Sequence, residues 1–310
     1  MTKILPGIRL GVLDVAPVWP DVTHRDAVWE IIEAAPVLEE LGYSRYWLAE
    51  HHDEDAAHSA PELLLPVIAG MTERMRVGVA GILLNLHSPI KVAKDFRLLE
   101  AVFTGRVDLG IARAGTKNDQ ALLLRDGAPL EGDHEARVSL LLSYLRGTSL
   151  DIVNPRFVWP PNVWMLGTGS VSARIAAANG LRFCFATQIK GHSLAPNSII
   201  PGYHNEFRSS IDTVDPECTI SIAGICSDTD EHAKLLLEPT SFVPTIVGGP
   251  ETCAEKFRQL QRETGVSEFI WLDLCRRYQD RLVSYRLLAK ALHLSNSSLE
   301  EAQRPMVNGS

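Results

Sequence analysis

Short apolar or β-branched runs alternate along the chain with longer stretches whose apolar residues recur every three or four positions. Eight runs read as strands: Ile8–Asp14, Ser44–Glu50, Arg76–Leu84, Arg106–Ala112, Val163–Gly167, Arg182–Ala186, Thr219–Cys226 and Glu268–Asp273. The stretches between them predict helices over Arg25–Leu41, Pro61–Thr72, Ile90–Phe103, Glu135–Leu145, Ser170–Asn179, Asp230–Leu237, Glu251–Thr264 and Asp280–Leu292. In the first helix Val28, Ile31, Ile32, Ala35, Leu38 and Leu41 share one face, and Gly42 is placed to end it. Gly105 and Gly180 punctuate two further helix-to-strand turns. Eight strands, each followed by helix, is the count of an α/β fold of the (β/α)8 TIM-barrel type. The pattern assigns residues 1–294 to that barrel. The polar stretch 295–310 reads as a disordered tail.

Composition narrows the function classes. The 310 residues admit two average domains or one large barrel, and the alternation selects one barrel. A net charge of −8, with no Lys/Arg-rich run to reverse it locally, speaks against a nucleic-acid groove. The five cysteines are scattered, form no C-x-x-C and lack a His at ligand spacing, so neither a disulfide framework nor a structural zinc site is expected. Each reads as a small buried hydrophobe in a reducing compartment. The first residues show no signal-peptide pattern, and the longest apolar run, Val77–Leu86, is about half a membrane span. A cytoplasmic protein with no membrane contact is the expectation.

In a barrel of this type the chemistry gathers at the C-terminal ends of the strands. Those ends carry Asp14, Glu50-His51-His52, Asn85-Leu86-His87, Arg113, Gly167-Thr168-Gly169-Ser170, Gln188 and Asp273. The glycine-rich turn opens a helix directly after a strand, where backbone N–H groups and the helix dipole favour an anion. Ser170 and Ser172 add hydroxyl donors, and Arg113 can hold a phosphate bidentately. The same turn also suits a plain strand-to-helix junction with a serine cap, and Arg113 equally suits a structural ion pair. Neither a Walker loop nor G-x-G-x-x-G is present. His51 and His52 point to opposite faces of an extended chain and no H-x-H occurs, so no metal site is expected. A single histidine at a strand end suits acid–base work, and a loop-bonding role suits it equally.

Taken together the motifs resemble the luciferase-like, flavin-dependent monooxygenases. Leu41-Gly-Tyr-Ser-Arg-Tyr-Trp-Leu-Ala-Glu-His-His52 is similar to the family's second-strand signature. Ser59-Ala-Pro-Glu62, Arg76–Leu84, His87-Ser-Pro89, Val92-Ala-Lys-Asp-Phe96 and Gly105–Arg113 follow at the expected distances. Trp164–Ala173, Ala176–Leu181, Gly248–Thr252 and Arg281–Ala289 extend the likeness over about residues 8 to 292.

The resemblance implies reduced FMN at the barrel mouth, supplied by a separate flavin reductase. It places His51 as the catalytic histidine and implies a non-proline cis peptide at Ala80–Gly81 against the flavin ring. It also implies phosphate contacts from Arg113, Thr168, Gly169 and Ser172. The implied reaction oxidises a small organic substrate with O2 through a flavin peroxy or hydroperoxy adduct, in a protein whose relatives are often homodimers. Departures gather near the implied substrate side. Asn85 stands where relatives commonly have Pro, Thr116-Lys117-Asn118 lacks a Pro often seen after Arg113, Val171 replaces a frequent aromatic residue, and Thr187-Gln188-Ile189 replaces a His-rich segment. The stretch Asp126–Pro161 is short for the family. These departures keep open a noncatalytic flavin-binding relative, and the same superfamily also contains F420-dependent oxidoreductases. Ile189–Gly202, with Gly191, Pro196, Pro201 and Gly202, reads either as a lid or as an ordinary surface loop.

Overall fold

A computed structural model describes residues 6–113, 123–124, 133–156, 159–191 and 195–295. Nine strands form, namely β1 (Arg9–Asp14), β2 (Arg45–Leu48), β3 (Arg76–Leu83), β4 (Val107–Ala112), β5 (Asn162–Gly167), β6 (Arg182–Ala186), β7 (Cys218–Cys226), β8 (Pro244–Gly248) and β9 (Glu268–Asp273). All pair in parallel, in the order β1-β2-β3-β4-β5-β6-β7-β9, and β9 returns to β1 to close an eight-stranded barrel. The eight barrel strands are the eight expected from the sequence.

β8 is the strand that the pattern missed. Residues 220–224 of β7 pair with β9 on one edge, while the other edge is shared. β6 takes its first half up to Ser221, and β8 takes Ala223–Cys226. Only Ile246 and Gly248 of β8 are buried, so its sequence lacks a clean alternation.

The described helices are α1 (His24–Glu40), α2 (Leu65–Gly70), α3 (Pro89–Val102), α4 (His134–Leu145), α5 (Ser170–Asn179), α6 (Pro196–Glu206), α7 (Asp230–Leu235), α8 (Pro250–Thr264) and α9 (Tyr278–Leu292). Local chemistry sets their ends. Thr23 Oγ1 accepts from Asp26 N at the start of α1. Gly42, at φ +85°, lets Tyr43 N bond back to Leu38 O after its end. The predicted helix Pro61–Thr72 is broken: Pro61–Leu63 form a 3-10 turn and α2 starts at Leu65, with prolines near the start of each piece.

The reading of Ile189–Gly202 as a lid or surface loop does not hold over Pro196–Gly202. That stretch belongs to α6, which packs on α5 and buries Ile199, Ile200 and Tyr203. The Tyr203 hydroxyl lies 2.8 Å from Leu181 O, which fastens α6 beneath the start of β6. Residues 192–194 and the predicted tail from 296 onward lie outside the described residues.

Strand alternation separates two apolar bodies. Leu10, Val12, Tyr46, Leu48, Val77, Val79, Leu109, Ile111, Phe183 and Phe185 face outward and pack with the helices. Leu13, Trp47, Ala49, Ala80, Trp164, Cys184 and Ile270 face inward and fill the lumen. Beneath them the lumen is charged. Arg45 bonds Asp108 Oδ2 at 2.6 Å and both oxygens of Glu268 at 2.9 Å. Arg76 and Trp47 also donate to Asp108, each at 2.8 Å. The Arg45 guanidinium lies 4.9 Å from the Trp164 ring centroid and 5.3 Å from that of Trp47. These cations hold the buried carboxyls of Asp108 and Glu268 below the usual range, Glu268 at about 2.

Candidate functional site

The register brings the sequence-predicted residues together on four consecutive strands. His51 follows β2, Ala80–Gly81 lie within β3, Arg113 follows β4, and Thr168, Gly169 and Ser172 follow β5. Ile111 pairs with Met165, so Arg113 and Gly167 leave the barrel on adjacent strands, about 5 Å apart in the pairing direction. Arg113 is exposed and makes no ion pair with a described residue. It lies near the start of α4, where burial and then the Arg113 and Arg137 guanidiniums push His134 down from the ordinary imidazole value.

The turn after β5 is built to present backbone N–H groups. Gly169 is the N-cap of α5 and no side chain caps that helix, so its first-turn donors face outward. A Cβ on Gly167 would come within 2.2 Å of Ser172 Cβ and Oγ, so this glycine lets the first turn of α5 fold over the strand end. Ser172 is half-buried there. Arg113 and the N-terminus of α5 thus follow adjacent strands, and a cation and free helix N–H groups are the group types that suit an anion.

The Ala80–Gly81 peptide is cis, and the β3–β4 register shifts between Val79 and Ile82. The small residues here have a packing cause. A Cβ on Gly81 would meet backbone atoms of Gly110, Ile111 and Ala112 at 3.0 Å. Ala80 is buried at the top of the lumen cluster.

His51 makes no hydrogen bond to a described residue, and burial pushes it below the ordinary imidazole value. Its neutral form is therefore favoured near pH 7. Its neighbours in sequence are both engaged. Glu50 Oε1 lies 2.7 Å from His52 Nε2 and 2.7 Å from His87 Nε2, while Oε2 accepts from Leu83 N at 2.8 Å. The three donor atoms lie within 4.8 Å of one another, close enough to share a cation, but 2.7 Å is a hydrogen-bond length.

Two strand-end carboxylates named from the sequence turn out to face away from the lumen. Asp14 accepts from Ala16 N and the Tyr46 hydroxyl, and Asp273 accepts from Trp271 Nε1, Cys275 N and Ser284 Oγ. Both tie strand ends to the outer shell.

One further group near the strand ends gave no sequence signal. Residues 16–18 and 55–57 pair as a short antiparallel ribbon over the strand ends, with Val18 N to Asp55 O at 2.7 Å and Ala57 N to Ala16 O at 2.8 Å. The ribbon delivers His58, whose two ring nitrogens are buried without a partner among the described residues. Gln188 Oε1 after β6, and Trp164 Nε1 and Ser221 Oγ lower in the lumen, are likewise buried without a hydrogen-bond partner among the described residues. A cavity of about 710 Å³ lies at the other end of the barrel, between the α4–β5 and α6–β7 connections, and holds none of these groups.

Residues 8–243 match the luciferase-like monooxygenase family. The chain belongs to that family. A luciferase-like monooxygenase of Escherichia coli (strain K12) is 30% identical over 239 residues, covering 74% of this chain and 70% of the relative. The crystal structure of apo-MsnO8 superposes with a TM-score of 0.85 at 31% identity, covering 93% of this chain and 98% of that one. The oxygenating constituent of 3,6-diketocamphane monooxygenase from Pseudomonas putida, solved with FMN, superposes with a TM-score of 0.73 at 17% identity, over 92% of this chain and 98% of that one. The chain is accordingly an oxidoreductase of the monooxygenase type on a (β/α)8 barrel. Among the described residues no helix is long and apolar enough to cross a membrane.

Proposed function

We propose that the protein is an FMN-dependent monooxygenase that oxidises a small organic substrate with O2, using reduced flavin delivered by a separate reductase. The observation that carries this reading is the placement of an exposed Arg113 and the uncapped N-terminus of α5 after adjacent strands, beside the small Ala80–Gly81 step of β3. The residues present fit FMN. Arg113, the Thr168–Gly169 backbone and Ser172 would hold the phosphate, and the Ala80–Gly81 corner would lie against the ring.

Reduced FMN supplies two electrons to O2, so that one oxygen atom enters the substrate and the other leaves as water. The chain's own residues do the rest. Arg113 and the α5 N–H groups fix the anionic end and with it the register of the ring. His51, neutral in its buried setting, takes or returns a proton through a ring nitrogen as the substrate is oxidised. The 16–18/55–57 ribbon covers one side of the mouth and limits water there.

Titration of the full chain with FMN, followed by flavin fluorescence, tests the reading. A saturable site that Arg113→Ala weakens ~10–100-fold is expected, the range for losing a charged hydrogen-bonding partner. Unchanged affinity in that variant overturns the phosphate assignment. A parallel titration with coenzyme F420 decides between the two flavins. Anaerobic reduction followed by O2 then separates a monooxygenase from a noncatalytic binder.

A further inference from the structure

We propose that Glu50 is a positioning residue: its carboxylate clamps His52, His87 and the Leu83 amide together and so aims His51 into the mouth. This rests on the assignment of His51 as the acid–base group.

Glu50 is 3% exposed, and both of its oxygens are in use. Burial alone would raise its carboxyl, but His87, the Leu83 amide and His52 together hold it below the usual range, so it is a buried carboxylate at neutral pH. Residues 49–52 lie beyond β2 and have no helical hydrogen bonding of their own. In extended chain, residues 50 and 52 turn to one side and residue 51 to the other. Fixing both flanking side chains from one side therefore fixes the direction of the third. The contrast in bonding agrees: Glu50 and His52 are bound to each other, while His51 has no hydrogen bond to a described residue.

The far side of the clamp is itself anchored. Arg137 of α4 donates to Leu84 O at 3.2 Å and to His87 O, and His134 Nδ1 lies 3.1 Å from Asn85 Oδ1. His87 is thus held at its backbone by α4 and at its ring by Glu50. The groups facing His87 are Glu50 after β2, Glu62 on the 3-10 turn and Asp95 on α3, with Arg137 at its carbonyl. Burial lowers the His87 imidazole, but the Glu50 contact outweighs it and raises the imidazole above its ordinary value.

The test uses the full-length chain and its Glu50→Gln and His87→Gln variants. The imidazole resonances of His51, His52 and His87 are followed by NMR across pH, without FMN. In the wild type, His87 should titrate above an ordinary imidazole and His51 below one. Glu50→Gln should lower the His87 midpoint and move the His51 resonances, while cooperative unfolding in urea is retained. His87→Gln removes one arm of the clamp and should move His51 in the same way but less, which keeps the proposal testable if Glu50→Gln folds poorly.

With FMN, Glu50→Gln should bind within about threefold of wild type, because no phosphate donor is lost. The pH profile for O2 reoxidation of bound reduced FMN should shift in Glu50→Gln and lose its inflection in His51→Ala. Unmoved His51 resonances and an unchanged profile in Glu50→Gln overturn the clamp. So does stoichiometric Zn²⁺ uptake by the wild type that Glu50→Gln abolishes, since the three donors would then be ligands. If FMN fails to bind the wild type while the NMR shifts appear, the flavin reading falls and the clamp stands.

Discussion

The floor and the mouth of the barrel are made from the same kinds of residue, yet their polar atoms are treated in opposite ways. At the floor Arg45 is shared between Asp108 and Glu268, and Arg76 and Trp47 complete Asp108. At the mouth His51 makes no hydrogen bond to a described residue, and His58 and Gln188 keep buried atoms without hydrogen-bond partners among the described residues. A satisfied buried network specifies the fold, whereas a buried donor or acceptor left open costs roughly 1–3 kcal/mol until something meets it. The difference assigns stability to one end and recognition to the other.

Four sets of substitutions test that contrast and its surroundings. The largest effect belongs to the floor. Asp108→Ala leaves Arg45 and Arg76 without a shared carboxylate and should cost about 3–5 kcal/mol of unfolding free energy, measured in urea. The floor also predicts an acid limb. The Glu268 carboxyl is depressed to about 2, so its contribution is complete above the ordinary carboxylate value near 4.5 and is lost as pH falls toward 2. Glu268→Gln should flatten the stability curve across that window, and a wild-type curve already flat there would remove the ion pair as its cause.

Arg113→Ala comes next. It should leave urea stability within about 0.5 kcal/mol of wild type, as befits an exposed residue, while weakening FMN. A matched pair of serines gives a smaller difference. Ser284 donates to Asp273, so Ser284→Ala should destabilise by about 1 kcal/mol, whereas Ser221→Ala, which removes an unpartnered hydroxyl, should be neutral or stabilising. Equal losses at the two sites would erase the distinction between satisfied and open buried hydroxyls.

A separate pH effect lies outside both regions, at Glu100 on α3. Burial pushes its carboxyl up to about 7, so the folded protein retains a proton that the unfolded chain releases above about 4.5. Wild-type stability should therefore fall between those values. Glu100→Gln should gain on wild type across the same interval, and parallel curves would overturn the assignment.

How much of this the sequence carried depends on what each residue touches. The barrel strands were legible because their outward positions, such as Leu10 and Val12 or Phe183 and Phe185, alternate against a shell that stays apolar. α6 was hidden because Pro196, Pro201 and Gly202 read as breakers, and only burial of Ile199, Ile200 and Tyr203 overrides them. β8 was hidden because half of it is exposed.

At the site, strand ends could be named from sequence, but their directions could not. Nothing local shows that Asp14 and Asp273 turn into the shell while Glu50 meets His87, 37 residues away. His58 lies on a ribbon whose pairing leaves no period in the sequence.

The shared edge of β7 has an evolutionary consequence. Because the ring closes through β6, β7 and β9, the excursion that contains α7 and β8 stands outside the closure circuit. It can gain or lose residues without opening the barrel, and it lies on strands other than those that carry the proposed FMN contacts. Length variation among relatives should therefore be tolerated between residues 227 and 248 as well as in the short Asp126–Pro161 stretch, both outside the strands of the closure circuit.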